Sequence, residues 1–177
     1  MARKDERSTS FVRSWDTEVP VSRTAATLEE MIRRYGASGY TRSEDYASGR
    51  VVVAFTIAGR DVRIFVDIPT VERKLRAMPE FEAKRDRRPN DTKAEWTRAQ
   101  SGRVAWRHLL LYVEASLNAV SAGLLTLEEA FFAHALIQAP DGSQQRAADV
   151  ALAAEAHSKR LTATTDASRQ PGGGDAT

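Results

Sequence analysis

The sequence predicts an α+β fold: a small three-stranded antiparallel sheet, in the element order β-α-β-β-β-α-α, packed with a long helix and a following shorter helix. Three observations carry this. Two adjacent runs alternate apolar and polar residues, with Val51, Val53, Phe55 and Ile57 on one face, then Val62, Ile64, Val66 and Ile68. A later stretch repeats apolar residues at helical spacing, through Trp106, Leu109, Leu110, Val113, Leu117 and Val120. The tetrapeptide Thr-Leu-Glu-Glu occurs twice, at 27–30 and 126–129, and each copy reads as a capping box.

Taken in order, Val19-Pro20-Val21 reads as a short extended piece, because proline biases the residue before it toward extended backbone. The box at Thr27 then opens a helix of two turns, with Leu28, Met31, Ile32 and Tyr35 on one face and Gly36 closing it. Residues 39–44 form the weakest of three strands. The strand runs 50–58 and 62–68 meet at Gly59-Arg60, read as a two-residue hairpin loop with glycine first, and Pro69 ends the last strand. The outer face of this hairpin carries Val52, Ala54, Thr56, Arg63, Phe65 and Asp67 and is half apolar. Residues 70–92, charged and broken by Pro79 and Pro89, read as a long loop or frayed helix. The long helix spans about 91–122. The second box opens a helix that includes Phe131, Phe132, Leu136 and Ile137, and Pro140-Asp141-Gly142 is a turn. The chain thus divides into a flexible polar arm (1–18), one α+β domain (19–140), a weak alanine-rich helix (141–161) and a disordered tail (162–177). The α-β-β-β-α portion shares its order with double-stranded-RNA-binding domains, without their lysine cluster at the start of the final helix.

Composition removes several classes. The 177 residues contain no cysteine, which excludes a disulfide scaffold, a cysteine zinc site and a thiol enzyme. No apolar run approaches the roughly 20 residues of a membrane span, and residues 1–15 lack the apolar core of a signal peptide. A soluble, cytoplasmic protein without a membrane partner is the expectation. His108, His134 and His157 have no ligand spacing, and there is no phosphate-binding glycine loop or nucleophile elbow, so the reading names no cofactor, metal or catalytic residue.

Charge is where the sequence speaks of partners. The net charge is +2, yet residues 70–107 carry 11 basic and 6 acidic groups, and residues 108–177 carry 4 and 8. Arginine outnumbers lysine 21 to 5, and its planar fork both grips phosphate and stacks on bases. With Trp96 inside the basic stretch, this suits single-stranded nucleic acid. The residues assigned are Arg85, Arg87, Arg88, Lys93 and Trp96, with Arg63 on the open sheet face in support. The interleaved acids also allow a plainer reading, a solvated face laced by pairs such as Glu72 with Arg76 and Glu80 with Lys84.

One tract has a familiar pattern. Residues 106–114 (WRHLLLYVE), Leu117, Ala119-Val120, Gly123 and 126–134 (TLEEAFFAH) resemble a family of small uncharacterised phage- and prophage-associated proteins. Val19-Pro20-Val21, Arg34-Tyr35-Gly36-Ala37 and the segment Gly59-Arg60-Asp61-Val62-Arg63 fit the same pattern, over roughly residues 18–140. The resemblance implies a role around DNA or RNA and brings no activity with it. Three readings follow. The first is a non-enzymatic phage or mobile-element accessory protein that binds nucleic acid. The second is a protein-interaction module or homodimer acting on a host or phage protein, using surplus apolar residues among Leu109, Leu110, Phe131, Phe132 and Leu136. The third is a metal-dependent nuclease built on Asp67, Glu72 and Lys74.

Overall fold

The computed structural model describes residues 12–45, 47–138 and 142–156. Helix α1 (Val21–Arg34) leads into a meander of β1 (Ala37–Asp45), β2 (Arg50–Ile57) and β3 (Arg60–Asp67). Short helices α2 (Ile68–Arg76) and α3 (Pro79–Asp86) precede the long α4 (Lys93–Ser121). Then come α5 (Leu127–Phe131), a 3₁₀ turn (Phe132–His134), β4 (Leu136–Gln138), β5 (Gln144–Arg146) and a last helix, α6, over 147–156. The fold is α+β, with a three-stranded antiparallel sheet in the order β1-β2-β3.

The alternation in β2 and β3 decides where the core lies. Val51, Val53, Phe55, Ile57, Val62 and Ile64 are all buried on one face. Against them pack Leu28 and Ile32 of α1, the α4 stripe of Trp106, Leu109, Leu110, Val113 and Leu117, and Phe131 of α5. The stripe read from helical spacing is therefore the core stripe, with Val120 half-buried at its end. The second capping box forms as expected. The Thr126 hydroxyl accepts from the Glu129 N–H at 3.1 Å, and the Glu129 carboxylate accepts from the Thr126 N–H at 2.7 Å.

Several expectations are corrected. Helix α1 starts at Val21, six residues before the first Thr-Leu-Glu-Glu. Thr27 is mid-helix, and its hydroxyl donates to the Arg23 carbonyl at 2.9 Å. The reason is the stripe Val21, Ala25, Leu28, Ile32, which has helical spacing and packs into the core. Burying it outweighs a cap worth about 1 kcal/mol, so Val21 is helical and residues 19–21 form no strand. The hairpin loop is Ala58-Gly59, one residue earlier than read, with Ile57 paired to Arg60. Both loop residues have positive φ (+48° and +74°), the signature of a type I′ turn.

Of the two alternatives for residues 70–92, a long loop or a frayed helix, the helical one is the closer. The segment holds two helices, each with a proline in its first turn, where the missing N–H costs nothing. Asp67 caps α2, accepting from the Thr70 N–H at 3.2 Å and hydroxyl at 2.9 Å. Leu75, Met78, Phe81 and Val104 make a second small core, with Val71, Val12, Trp15 and Trp96 packed on it. Residues 12–17, read as part of a mobile arm, are thereby tied down: Gln100 Nε2 donates to the Trp15 and Thr17 carbonyls at 2.7 and 3.0 Å. Helix α5 is shorter than read, because the chain leaves it for a bridge between Ala135 and Val62 and then β4. The alanine-rich stretch is strand at 144–146 and helix at 147–156. Residues 1–11, most of the 140–142 turn and the tail from 162 lie outside the described residues.

Two stability outcomes follow. Leu28→Ala removes a side chain with no exposed area and is expected to cost about 2–5 kcal/mol. Ala58→Asn, which places Asn-Gly in the type I′ turn, is expected to stabilise by about 0.5–1 kcal/mol. Both are read as shifts in the urea midpoint at unchanged slope.

Candidate nucleic-acid interface

The turn between α3 and α4 places the basic segment beside an aromatic cluster. Phe81 is buried. Trp96, one turn into α4, stacks on it with centroids 5.2 Å apart and planes at 29°. Trp15 meets Phe81 edge-on at 6.3 Å. Each end of this row carries a cation: the Arg88 guanidinium lies 5.1 Å from the Trp96 ring and the Lys84 ammonium 5.6 Å from the Trp15 ring. Arg88 is exposed and Trp96 half-buried. Trp96 therefore packs on Phe81 and not on the sheet, and the Arg88 guanidinium lies over its ring.

The assigned residues divide. Arg88 and Trp96 are brought together, and Arg87 is exposed beside them at the end of α3. Arg85 and Lys93 are committed elsewhere. Arg85 Nη1 lies 2.9 Å from Glu82 and 3.7 Å from Asp86, and Lys93 Nζ lies 3.4 Å from Asp86. Their side chains are 22% and 20% exposed, so they offer little to a ligand, and the Lys93–Asp86 pair joins the end of α3 to the start of α4. Arg63 stands apart, on the sheet face opposite the α1–α4 layer, in register with Ala54. The i,i+4 pairs foreseen along 70–92 are replaced by Glu82 bridging Arg76 and Arg85. Among the described residues, the ion pairs of this segment take up Arg76, Arg85 and Lys93. Arg73, Lys74, Lys84, Arg87, Arg88, Arg98, Arg103 and Arg107 stand in none.

Lys84 and Trp15 were missed by sequence reasoning. Lys84 lies in a stretch read as loop or frayed helix, and Trp15 sits about 65 residues from its ring partner. The only sequence signal was the pairing of a lone tryptophan with a polar arm, which does not specify a location.

The other readings can be placed too. Leu109, Leu110 and Phe131 are core residues, whereas Phe132 is 61% exposed. It stands at an apolar recess of about 310 Å³ with Leu136 and Ile137. The Asp67 carboxyl is held below its ordinary value by the Thr70 hydroxyl and N–H, as its capping role requires. Among the described residues no three His, Asp or Glu side chains gather as metal ligands. No described helix is long and apolar enough to cross a membrane. Comparison with protein-family models, curated proteins and solved structures finds no match to this chain.

His134 is enclosed against Tyr112, centroids 5.6 Å apart, and its Nδ1 meets no hydrogen-bond partner among the described residues. Burial first, and the Arg146 charge second, push the imidazole below its ordinary value of 6.5. The folded chain therefore takes up this proton less readily than the unfolded chain. The contribution of His134 is complete above the ordinary imidazole range and is lost as pH falls through and below it. A urea midpoint that drops between about pH 7.5 and about pH 5.5 is expected, and His134→Gln should flatten that drop.

Proposed function

We propose that this chain is a non-enzymatic nucleic-acid-binding protein of a phage or mobile element, with single strands favoured, acting through the α3–α4 corner. One observation carries the reading: the Trp96 ring stacks on the buried Phe81 and presents a face to the exposed Arg88 guanidinium, 5.1 Å from its centroid. A base slides onto that face as Arg88 swings away to a phosphate. The exchange gives up a cation–π contact worth about 0.5–1 kcal/mol at an exposed site. It gains a base–aromatic stack worth about 1–3 kcal/mol together with a charge-assisted phosphate bond. Lys84 and Arg87 lie along the same corner and supply backbone cations at little folding cost, because neither is held in an ion pair among the described residues. Weak sequence preference is expected, since stacking and phosphate contact read no base edge.

The test is anisotropy with labelled single-stranded DNA, RNA and duplex across a salt series. Tight single-strand binding is expected, and Lys84→Ala/Arg87→Ala/Arg88→Ala should shrink the log–log salt slope by about 2, from about 0.7 per phosphate neutralised. Arg85→Ala should lower stability and leave that slope unchanged. Arg88→Glu should abolish binding while Trp96 fluorescence still reports a packed ring. Absence of binding at low salt by the wild-type chain overturns the reading.

A further inference from the structure

The two edges of the sheet are built differently. β1 carries Arg42, Glu44 and Asp45, is exposed along most of its length, and is irregular between Ala37 and Gly39. Those are the features with which proteins protect an edge from pairing. β3 is charged at Arg60, Asp61, Arg63 and Asp67, but its pairing is regular and its middle is uncharged. Beyond the isolated Val62–Ala135 bridge, no described residue pairs with its outer edge, and its middle is Ile64-Phe65-Val66. Beside this stretch runs a groove of about 620 Å³ floored by Val66, Val71, Ala105, Leu109 and Tyr112.

The turn at Ala58-Gly59 determines which peptide groups are free. A two-residue loop makes Ile57 and Arg60 a hydrogen-bonded pair, and the pattern alternates from there. Val62, Ile64 and Val66 therefore face β2, and the N–H and C=O of Phe65 face outward over the groove. An extended backbone laid alongside satisfies both at once. On the outer face the Phe65 ring lies under Arg146 at 4.4 Å and Arg50 at 5.9 Å, and Arg63 is two residues away on the same face. Arg146 pairs with Asp149 at 2.6 Å, and Asp67 on this face is occupied by Thr70. Arg50 and Arg63 are in no ion pair among the described residues.

We propose that the edge of β3 at Phe65 is a docking site for an extended segment of a partner protein in which acidic and apolar residues alternate. Its backbone pairs with Phe65. Its acidic side chains meet Arg50 and Arg63, and its apolar side chains enter the groove. A second copy of this chain fits less well. Antiparallel self-pairing about Phe65 would set Ile68, where α2 begins, beside Val62, the place Ala135 already holds. The site uses none of the residues assigned to the α3–α4 corner and does not depend on that reading.

The probe is a labelled, end-blocked peptide of alternating glutamate and valine, added to the full chain. Three controls accompany it: the same peptide with alternate backbone amides methylated, a lysine–valine peptide, and a single-stranded oligonucleotide. The acidic peptide is expected to bind and to slow hydrogen exchange at the Phe65 amide. Methylation should weaken binding about tenfold or more, as loss of the backbone bonds implies. Arg63→Glu with Arg50→Ala, both surface changes, should move the preference to the lysine peptide. Equal binding of the methylated peptide would reduce the effect to charge attraction and overturn the proposal. So would a Phe65 amide already slow in the free chain at high dilution, which would mean that the chain covers its own edge. Protection that appears only in a dimer, or only with the oligonucleotide, would also overturn it.

Discussion

The burial of one helix against two different partners organises the molecule. The later half of α4, from Trp106 to Leu117, is the apolar backing of the sheet. The earlier half presents Val104 to the second core and Gln100 to the incoming chain. Because both halves belong to one continuous helix of 29 residues, about 43 Å long, the two cores are held at a defined separation. Tyr35 adds a fastening at the far end, donating to the Asn118 carboxamide at 2.7 Å. The sheet by itself has only three strands and one covered face, which falls short of independent stability without a helix layer. Its order depends on α4, and so does that of α2 and α3.

That arrangement explains why so basic a segment is folded. Residues 70–92 contain few apolar groups, but Leu75, Met78 and Phe81 all go fully inside. Glu82 and Asp86 then take up Arg76, Arg85 and the adjoining Lys93, so charge repulsion is relieved at two cations of the segment and at the first residue of α4. The remaining cations project from helices held on α4. Trp96 takes part in both: its ring fills the edge of the second core and also faces Arg88. A cation–π contact at the surface is worth less than the apolar burial behind it, so the ring is fixed by Phe81 and the guanidinium is the part free to move.

Much of this was legible along the chain, for reasons particular to each element. Period-two alternation through 50–57 and 60–67 survives because only one face of the sheet is covered. The α4 stripe was legible because a helix buried on one side keeps 3.6-residue spacing. The box at Thr126 forms because the helix really does begin there, after the left-handed Gly123. The identical box at Thr27 does not form, since Val21 and Ala25 extend the buried stripe upstream. Pro69 and Pro79 were taken as breaks and in fact begin helices, a distinction that depends on whether the following residues find something to bury. Of the assigned surface, Arg87, Arg88 and Trp96 lie together, whereas Arg85 and Lys93 went to carboxylates and Arg63 to another face. Pairing between side chains across a helix turn depends on orientation, which residue type alone does not specify.

By itself the sequence determined the α+β class, the meander of β2 and β3, the long helix with its buried face and the concentration of positive charge in the middle third. Each of these is a local pattern, set by the period of one element or by composition. Tertiary structure alone decided where α1 begins, that 68–76 and 79–86 are two ordered helices, which arginines stand outside ion pairs among the described residues, and that Trp15, Phe81 and Trp96 form one row. It also decided that the outer edge of β3 at Phe65 runs beside an apolar groove and has no strand partner among the described residues. These depend on contacts between segments far apart in the chain. The free energy of such a contact, from burial or from charge pairing, is set by the partner that arrives and not by the residue that waits for it.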